Sequence, residues 1–314
     1  MGHYFTDIQQ IKHPLRSPVL TIGNFDGIHR GHQSLFQKVR ERAGALQGTS
    51  LVITFTPHPA RVLRPSKAPP QIVADENKVA LIFESGIDVV LALPFSREFA
   101  QISARDFVRE FLIAKIQMKE IVVGYDYTFG RKREGNILLL QQWGQEFGFS
   151  LHIHPPVTIG SHVVSSTRIR ELITSGAMEE AALLLGRPFC LTGKIITGKG
   201  IGRSLLGIPT ANLDPLETLL PQRGVYVVRL VKEKGSFFGV TNVGFNPTFA
   251  GKHISVETYL FDFDGDLYGK KIKLFFLKRL RGEKTYPGPE ALKAQIGKDI
   301  DQAKSWLKQR GYFY

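Results

Sequence analysis

The sequence predicts an α/β protein in two parts. Residues 1–186 read as a doubly wound parallel sheet, and residues 187–314 as a small antiparallel β-barrel with a terminal helix. Three observations carry this expectation. Apolar runs of strand length alternate with helical stretches through the first part. Near residue 187 that alternation gives way to short strands separated by turn residues. One helical segment, from about Pro289 to Gln309, closes the chain.

In the first part the strand candidates are VLTI at 19–22, LVITF at 51–55, VVLAL at 89–93, IVV at 121–123 and LHI at 151–153. Between them lie stretches with apolar residues three and four apart. ARDFVREFLIAKI follows Ser103, a helix N-cap residue type, and NILLLQQWGQEF follows Gly135. Strand–helix alternation implies a parallel sheet covered by helices on both faces, with ligands bound beyond the C-terminal ends of the strands. In the second part the strands are GVYVVRLV at 224–231, FFGVTNVG at 237–244, ISVETYLF at 254–261 and KIKLFFL at 271–277. Asp264-Gly265, between the last two, is a hairpin signal. Short strands with one helix point to a small barrel.

Composition narrows the class. No apolar run approaches the roughly 18 residues of a membrane span, and the first residues lack the apolar core of a signal peptide. A single cysteine, Cys190, excludes an internal disulfide and fits a reducing cytoplasm; with no neighbouring histidine to activate it, it reads as buried filler. The net charge of +13 is uneven, about +3 over residues 1–186 and +10 over 187–314. Such a domain attracts polyanions, either nucleic acid or phosphate-bearing small molecules.

The segment GNFDGIHRGH, Gly23 to His32, stands where a strand yields to a helix. Gly23, Gly27 and Gly31 allow tight turns and close approach to a bulky anion. The helix start offers free amides and the positive end of a dipole. His29 and His32, three apart, share one face and can donate to phosphoryl oxygens as charge builds up. A zinc site would need a further ligand; His58, His152 and His154 are able to supply one, but nothing in their spacing argues for it. In the second part, GKGIGRSLLGIPTANL (198–213) has neither a dinucleotide fingerprint nor a Walker A loop. If the stretch is extended, Thr210 and Asn212 point the same way and offer hard oxygens suited to Mg²⁺; a structural turn explains them equally well. Glu257 alternates with apolar residues in SVETYLF, so it faces either a site or solvent.

These motifs resemble the bacterial bifunctional riboflavin kinase/FMN adenylyltransferases (FAD synthetases), whose N-terminal half belongs to the HxGH nucleotidyltransferases and is Rossmann-like. GxFDGxHxGH, TFTPHP at 54–59, GYDYTFG at 124–130 with RKREGN, and SSTRIR at 165–170 match the adenylyltransferase half. GRSLLGIPTAN, NVGFNPTF at 242–249 and SVETYLFDFDGDLYG at 255–269 match the kinase half. The resemblance implies riboflavin, FMN and ATP as substrates, FAD as product, and Mg²⁺ in both steps. It implies that His29, His32 and Arg168 act on ATP, with Gly23, Asn24, Asp26, Gly31, Ser166 and Thr167 shaping the phosphate site. Phe55, His58, Asp126, Tyr127 and Phe129 would line the flavin side. In the kinase half it implies Glu257 as base, Thr210 and Asn212 on the metal, Gly198 and Arg203 on phosphate, and Arg281 on the flavin side. Four departures stand out: Tyr127 in place of Phe, Val164 in place of Ile, one extra residue in GRSLLG, and Tyr259 where His is common. Two rivals remain at this point. One is a single-activity nucleotidyltransferase with a degenerate kinase part. The other is an RNA-binding barrel using KIKLFFLKRLRGEK at 271–284. The small anionic ligands account for the basic charge without nucleic acid, and no membrane association is expected.

Overall fold

The computed structural model describes residues 2–197, 210–233, 235–248 and 251–312; Gly198 and Arg203 lie outside them. The chain forms two compact units, Met1–Pro70 with Asp75–Ser166, and Gln71–Ala74 with Thr167–Tyr314.

The first unit holds six parallel strands in the order β1-β4-β3-β2-β5-β6. They are β1 (His3–Phe5), β2 (Val19–Ile22), β3 (Ser50–Thr56), β4 (Val89–Pro94), β5 (Glu120–Gly124) and β6 (Ser150–His154); a separate antiparallel pair, β7 (Thr158–Ile159) and β8 (His162–Val163), follows. The five expected strands are all present. The short edge strand β1 was not expected, because His3 and Tyr4 are exposed and leave no apolar run to read. Alternate residues bury opposite faces. Val19, Val52, Val90 and Val122 pack with Phe36 and Val39 of α1 (Arg30–Ala45) and with Ile82 of α3 (Asp75–Glu84). Leu20, Ile53, Leu91 and Val123 pack on the other side with Val108, Leu112, and Leu140 and Trp143 of α5 (Ile137–Phe147).

A five-residue helix, α2 (Pro59–Leu63), follows β3. Ser103 caps the helix expected after it, its Oγ accepting from the Asp106 amide at 3.1 Å. Only the first turn, α4 (Ala104–Asp106), is α-helical; Phe107–Lys115 is π-helical. Apolar spacing of three and four does not separate these two windings over so short a run.

The second unit is a closed barrel in the order β10-β13-β12-β11-β14-β9. Its strands are β9 (Phe189–Ile196), β10 (Ala211–Pro215), β11 (Gly224–Val231), β12 (Ser236–Thr248), β13 (Gly251–Leu260) and β14 (Lys271–Arg281). Every pairing is antiparallel. Tyr226, Val228, Leu230, Thr241, Val243, Leu274 and Phe276 fill one buried face. The alternate residues Val225, Val227, Phe238 and Val240 pack under Ala303 and Leu307 of α8 (Pro289–Gln309). Two further helices belong here, α6 (Ser166–Ser175, from Thr167 onward) and α7 (Met178–Leu185).

The hairpin expected at Asp264-Gly265 does not form. β13 pairs with β10 and β12, whereas β14 pairs with β11 and β9. Turn residues reverse the chain locally, but barrel closure decides which strands become neighbours. Cys190 sits on β9, and burial pushes its thiol up to about 11, away from reactive thiolate character.

Candidate active site

In the first unit the strand order reverses at β2, whose neighbours are β3 and β5. The crevice at such a reversal is where open α/β sheets bind ligands. GNFDGIHRGH leaves β2 at that point and runs into α1. Phe25 (φ 48°), Gly27 (φ 87°) and Ile28 (φ 40°) are all left-handed. For the two non-glycine residues this costs about 1–2 kcal/mol each. Their side chains, 4 % and 1 % exposed, are buried beneath α1, and that burial holds the strained turn.

The turn delivers His29 as the N-cap of α1. Its Nδ1 accepts the His32 backbone N–H at 3.3 Å. An imidazole that accepts at Nδ1 is neutral and carries its proton on Nε2, a donor suited to a phosphoryl oxygen. The His29 and His32 rings stack at 3.5 Å, and Phe25 meets His32 edge-on at 5.2 Å. Gly31 makes room for this arrangement, since a Cβ there would lie 3.1 Å from the His29 ring. Likewise, a Cβ at Gly23 would lie 2.9 Å from the Phe25 ring. Asp26 is buried, and its carbonyl accepts from Ser166 Oγ at 2.8 Å, tying Ser166 to the loop.

Beside this loop opens a cavity of about 920 Å³. Gly23, Asn24, Phe55, His58, Asp126, Tyr127 and Phe129 all line it, so the structure brings these seven expected residues together. His58 caps α2, its Nδ1 accepting from the Ala60 amide at 3.1 Å. The Tyr127 and Phe129 rings stack at 5.4 Å, and burial raises the Tyr127 phenol above its ordinary range. Sequence reasoning missed Phe95, Phe99 and Phe107, which extend the aromatic wall, and the basic rim of Arg64, Arg131, Lys132 and Arg133. The aromatics carry the same signal as core residues, and the basic run reads as a solvated turn. That turn is built tightly: Gly130 (φ 73°) stands where a Cβ would meet Ala104 at 2.6 Å, and Phe129 bridges Gly135. The volume and lining suit a flat aromatic ligand carrying a few polar groups.

Thr167 and Arg168 lie in the first turn of α6, in the second unit, and Arg168 pairs with Glu171 at 3.0 Å. In the barrel, Thr210 precedes β10, and Asn212 on that strand stands opposite Glu257 of β13. A hydroxyl, an amide oxygen and a carboxylate are the donors a hard cation takes. Arg281 is occupied by Asp299 of α8, its Nε and Nη2 donating at 2.7–3.1 Å. Among the described residues no group of three or more His, Cys, Asp or Glu could hold a metal ion, and no helix is long and apolar enough to cross a membrane.

Two family models match the chain: FAD synthetase over residues 11–168 and riboflavin kinase over residues 185–307. The bifunctional riboflavin kinase/FMN adenylyltransferase of Buchnera aphidicola from Acyrthosiphon pisum is 38 % identical, over 93 % of this chain and 94 % of its own. The Escherichia coli K12 protein of the same name is 37 % identical over 94 % of each. A crystal structure named as a macrolide-efflux protein from Streptococcus pneumoniae superposes with a TM-score of 0.86 at 32 % identity, over 96 % of this chain and 98 % of that one. With both halves matched in order and over nearly the full length, the chain belongs to the bifunctional riboflavin kinase/FMN adenylyltransferase family.

Proposed function

We propose that residues 187–314 phosphorylate riboflavin with ATP to give FMN, and that residues 1–186 adenylylate FMN with a second ATP to give FAD and pyrophosphate. The observation that carries the second step is the stacked His29–His32 pair beside an aromatic cavity at the sheet's reversal point. Phe55, His58, Asp126, Tyr127 and Phe129 hold the flavin. A phosphate oxygen of FMN then attacks the α-phosphorus of ATP, and pyrophosphate leaves. His29 Nε2–H and His32 donate to the oxygens that gain charge. Gly23, Asn24, Asp26, Gly31, Ser166, Thr167 and Arg168 shape and neutralise the phosphate site. No side-chain nucleophile is needed, because positioning and charge stabilisation suffice.

In the kinase step Glu257 takes the proton of the ribityl 5′-hydroxyl as that oxygen attacks the γ-phosphorus in line, breaking its bond to the β–γ bridging oxygen so that ADP leaves. Thr210 and Asn212 would hold Mg²⁺, which supplies charge neutralisation on the ATP phosphates. Gly198 and Arg203 act on the same phosphates, and Arg281 contributes on the flavin side. The partners are small molecules, with no nucleic acid or membrane, and the place of work is the cytoplasm. Incubation with riboflavin, ATP and Mg²⁺, followed by separation of flavins over time, tests the reading. FMN should appear first and FAD later; riboflavin left unchanged would overturn the kinase half.

A further inference from the structure

A lysine lies inside the first unit where packing favours an apolar side chain. Lys78 of α3 is 2 % exposed, and Ile82, four residues on, is fully buried on the same helical face. Burying a cation is unfavourable unless it is paired and hydrogen-bonded. Its place in the first turn of α3 adds to that cost, because the helix dipole is positive there. Asp75, three residues earlier, answers part of the charge at 3.1 Å but is itself 31 % exposed. Packing alone gives no reason for a lysine, since a leucine or methionine would fill the space at lower cost.

The reason lies at the end of β3. Lys78 Nζ donates to the Phe55 carbonyl at 3.1 Å. On the β2 side of β3 the ladder closes with the Gly23 amide donating to the Ile53 carbonyl at 3.1 Å. In a parallel sheet alternate residues of a strand face the same neighbour, so Phe55 presents the next carbonyl on that side. β2 has ended at Ile22 and the chain turns away through GNFDG, so no strand is there to donate. Lys78 stands in for it. The Phe55 ring lines the aromatic cavity and meets Phe95 and Phe99 at 5.5 and 5.8 Å. Lys78 is not among the residues lining that cavity, so it bears on the wall through the Phe55 backbone.

We infer that Lys78 is a positioning residue for FMN adenylylation: its bond to the Phe55 carbonyl fixes the backbone from which that ring is hung. Holding the carbonyl sets the direction in which the Phe55 side chain leaves the strand, and so the face it offers to a flat ligand. The anchor also stands three residues before His58, which lines the same cavity. A wall fixed before the ligand arrives does not have to be ordered on binding, and affinity gains by that amount. The inference rests on the reading in which Phe55 and its neighbours hold the flavin of FMN. It adds a residue outside the cavity on which the cavity's shape depends.

The test is a double-mutant cycle read in the conversion of FMN to FAD. Lys78→Met keeps the length of the side chain and removes the donor. It should raise KM for FMN about tenfold and leave kcat and KM for ATP within about twofold. Phe55→Ala should raise KM for FMN by at least as much. Because Lys78 acts through Phe55, the double variant should be no worse than Phe55→Ala alone, whereas independent effects would multiply. Multiplied effects, equal rises for FMN and ATP, or an unchanged KM for FMN in Lys78→Met would overturn the inference. Should Lys78→Met lose its cooperative thermal transition, Lys78→Gln, which drops the charge and shortens the reach, enters the same cycle with the same outcomes. A Phe55→Ala chain with unaltered KM for FMN would instead overturn the placing of the flavin in this cavity.

Discussion

At the residue scale the proposed adenylyltransferase site turns on two roles carried by one side chain. His29 caps α1 through Nδ1, which leaves Nε2–H as its donor. Asn is a strong N-cap whose oxygen can take over the first role, but it has no donor at the position of Nε2. His29→Asn should therefore keep the melting temperature near that of the unaltered chain while FAD formation from FMN falls about 10²–10³-fold, the usual effect of removing a transition-state donor. FMN formation from riboflavin should be unchanged. A large fall in melting temperature with little kinetic effect would make His29 a structural cap and nothing more. His29 and His32 were legible in sequence because a strand, three glycines and a helix start frame them. Phe95, Phe99 and Phe107 were not, since an aromatic lining a cavity and an aromatic filling a core look alike until the chain is folded.

At the scale of elements, α1 and β5 are joined by a buried carboxylate. Glu120, 5 % exposed, accepts from Arg42 Nε and Nη2 at 2.8 and 2.7 Å and is 2.9 Å from His152 Nε2. The Arg42 hydrogen bonds hold its carboxyl below the ordinary value of 4.5, more than offsetting the opposing effect of burial. A carboxyl lowered on folding contributes stability that is complete above its unfolded value and is lost as pH falls through the folded one. Glu120→Gln should thus cost about 2 kcal/mol near neutral pH. It should also flatten the decline in melting temperature below about pH 4.5; an unaltered acid limb would rule out Glu120 as a source of acid sensitivity. The same scale shows what apolar patterning can carry. Strands such as VVLAL and IVV announce themselves because both faces are buried, and the terminal helix falls where its spacing puts it. The π-helical winding of Phe107–Lys115 and the pairing of β14 with β9 and β11 depend on contacts made elsewhere in the chain, so local residues do not reveal them.

For the whole molecule, the question is whether one chain must carry both steps for FAD to form. Among the described residues, those lining the aromatic cavity lie between Ile22 and Arg133, all within the first unit. A basic rim of Arg64, Arg131, Lys132 and Arg133 lies on the same cavity, and positive charge favours capture of the FMN phosphate dianion from solution. FMN made by one molecule should therefore serve another. Glu257→Gln chains should convert supplied FMN to FAD but form no FMN from riboflavin. His29→Asn chains should accumulate FMN and make little FAD. An equimolar mixture of the two should restore FAD formation from riboflavin after a lag in which free FMN builds up, and added salt should lengthen that lag by screening the rim. A mixture that accumulates FMN while FAD stays at the level of the His29→Asn chain alone would mean that FMN must pass within one chain.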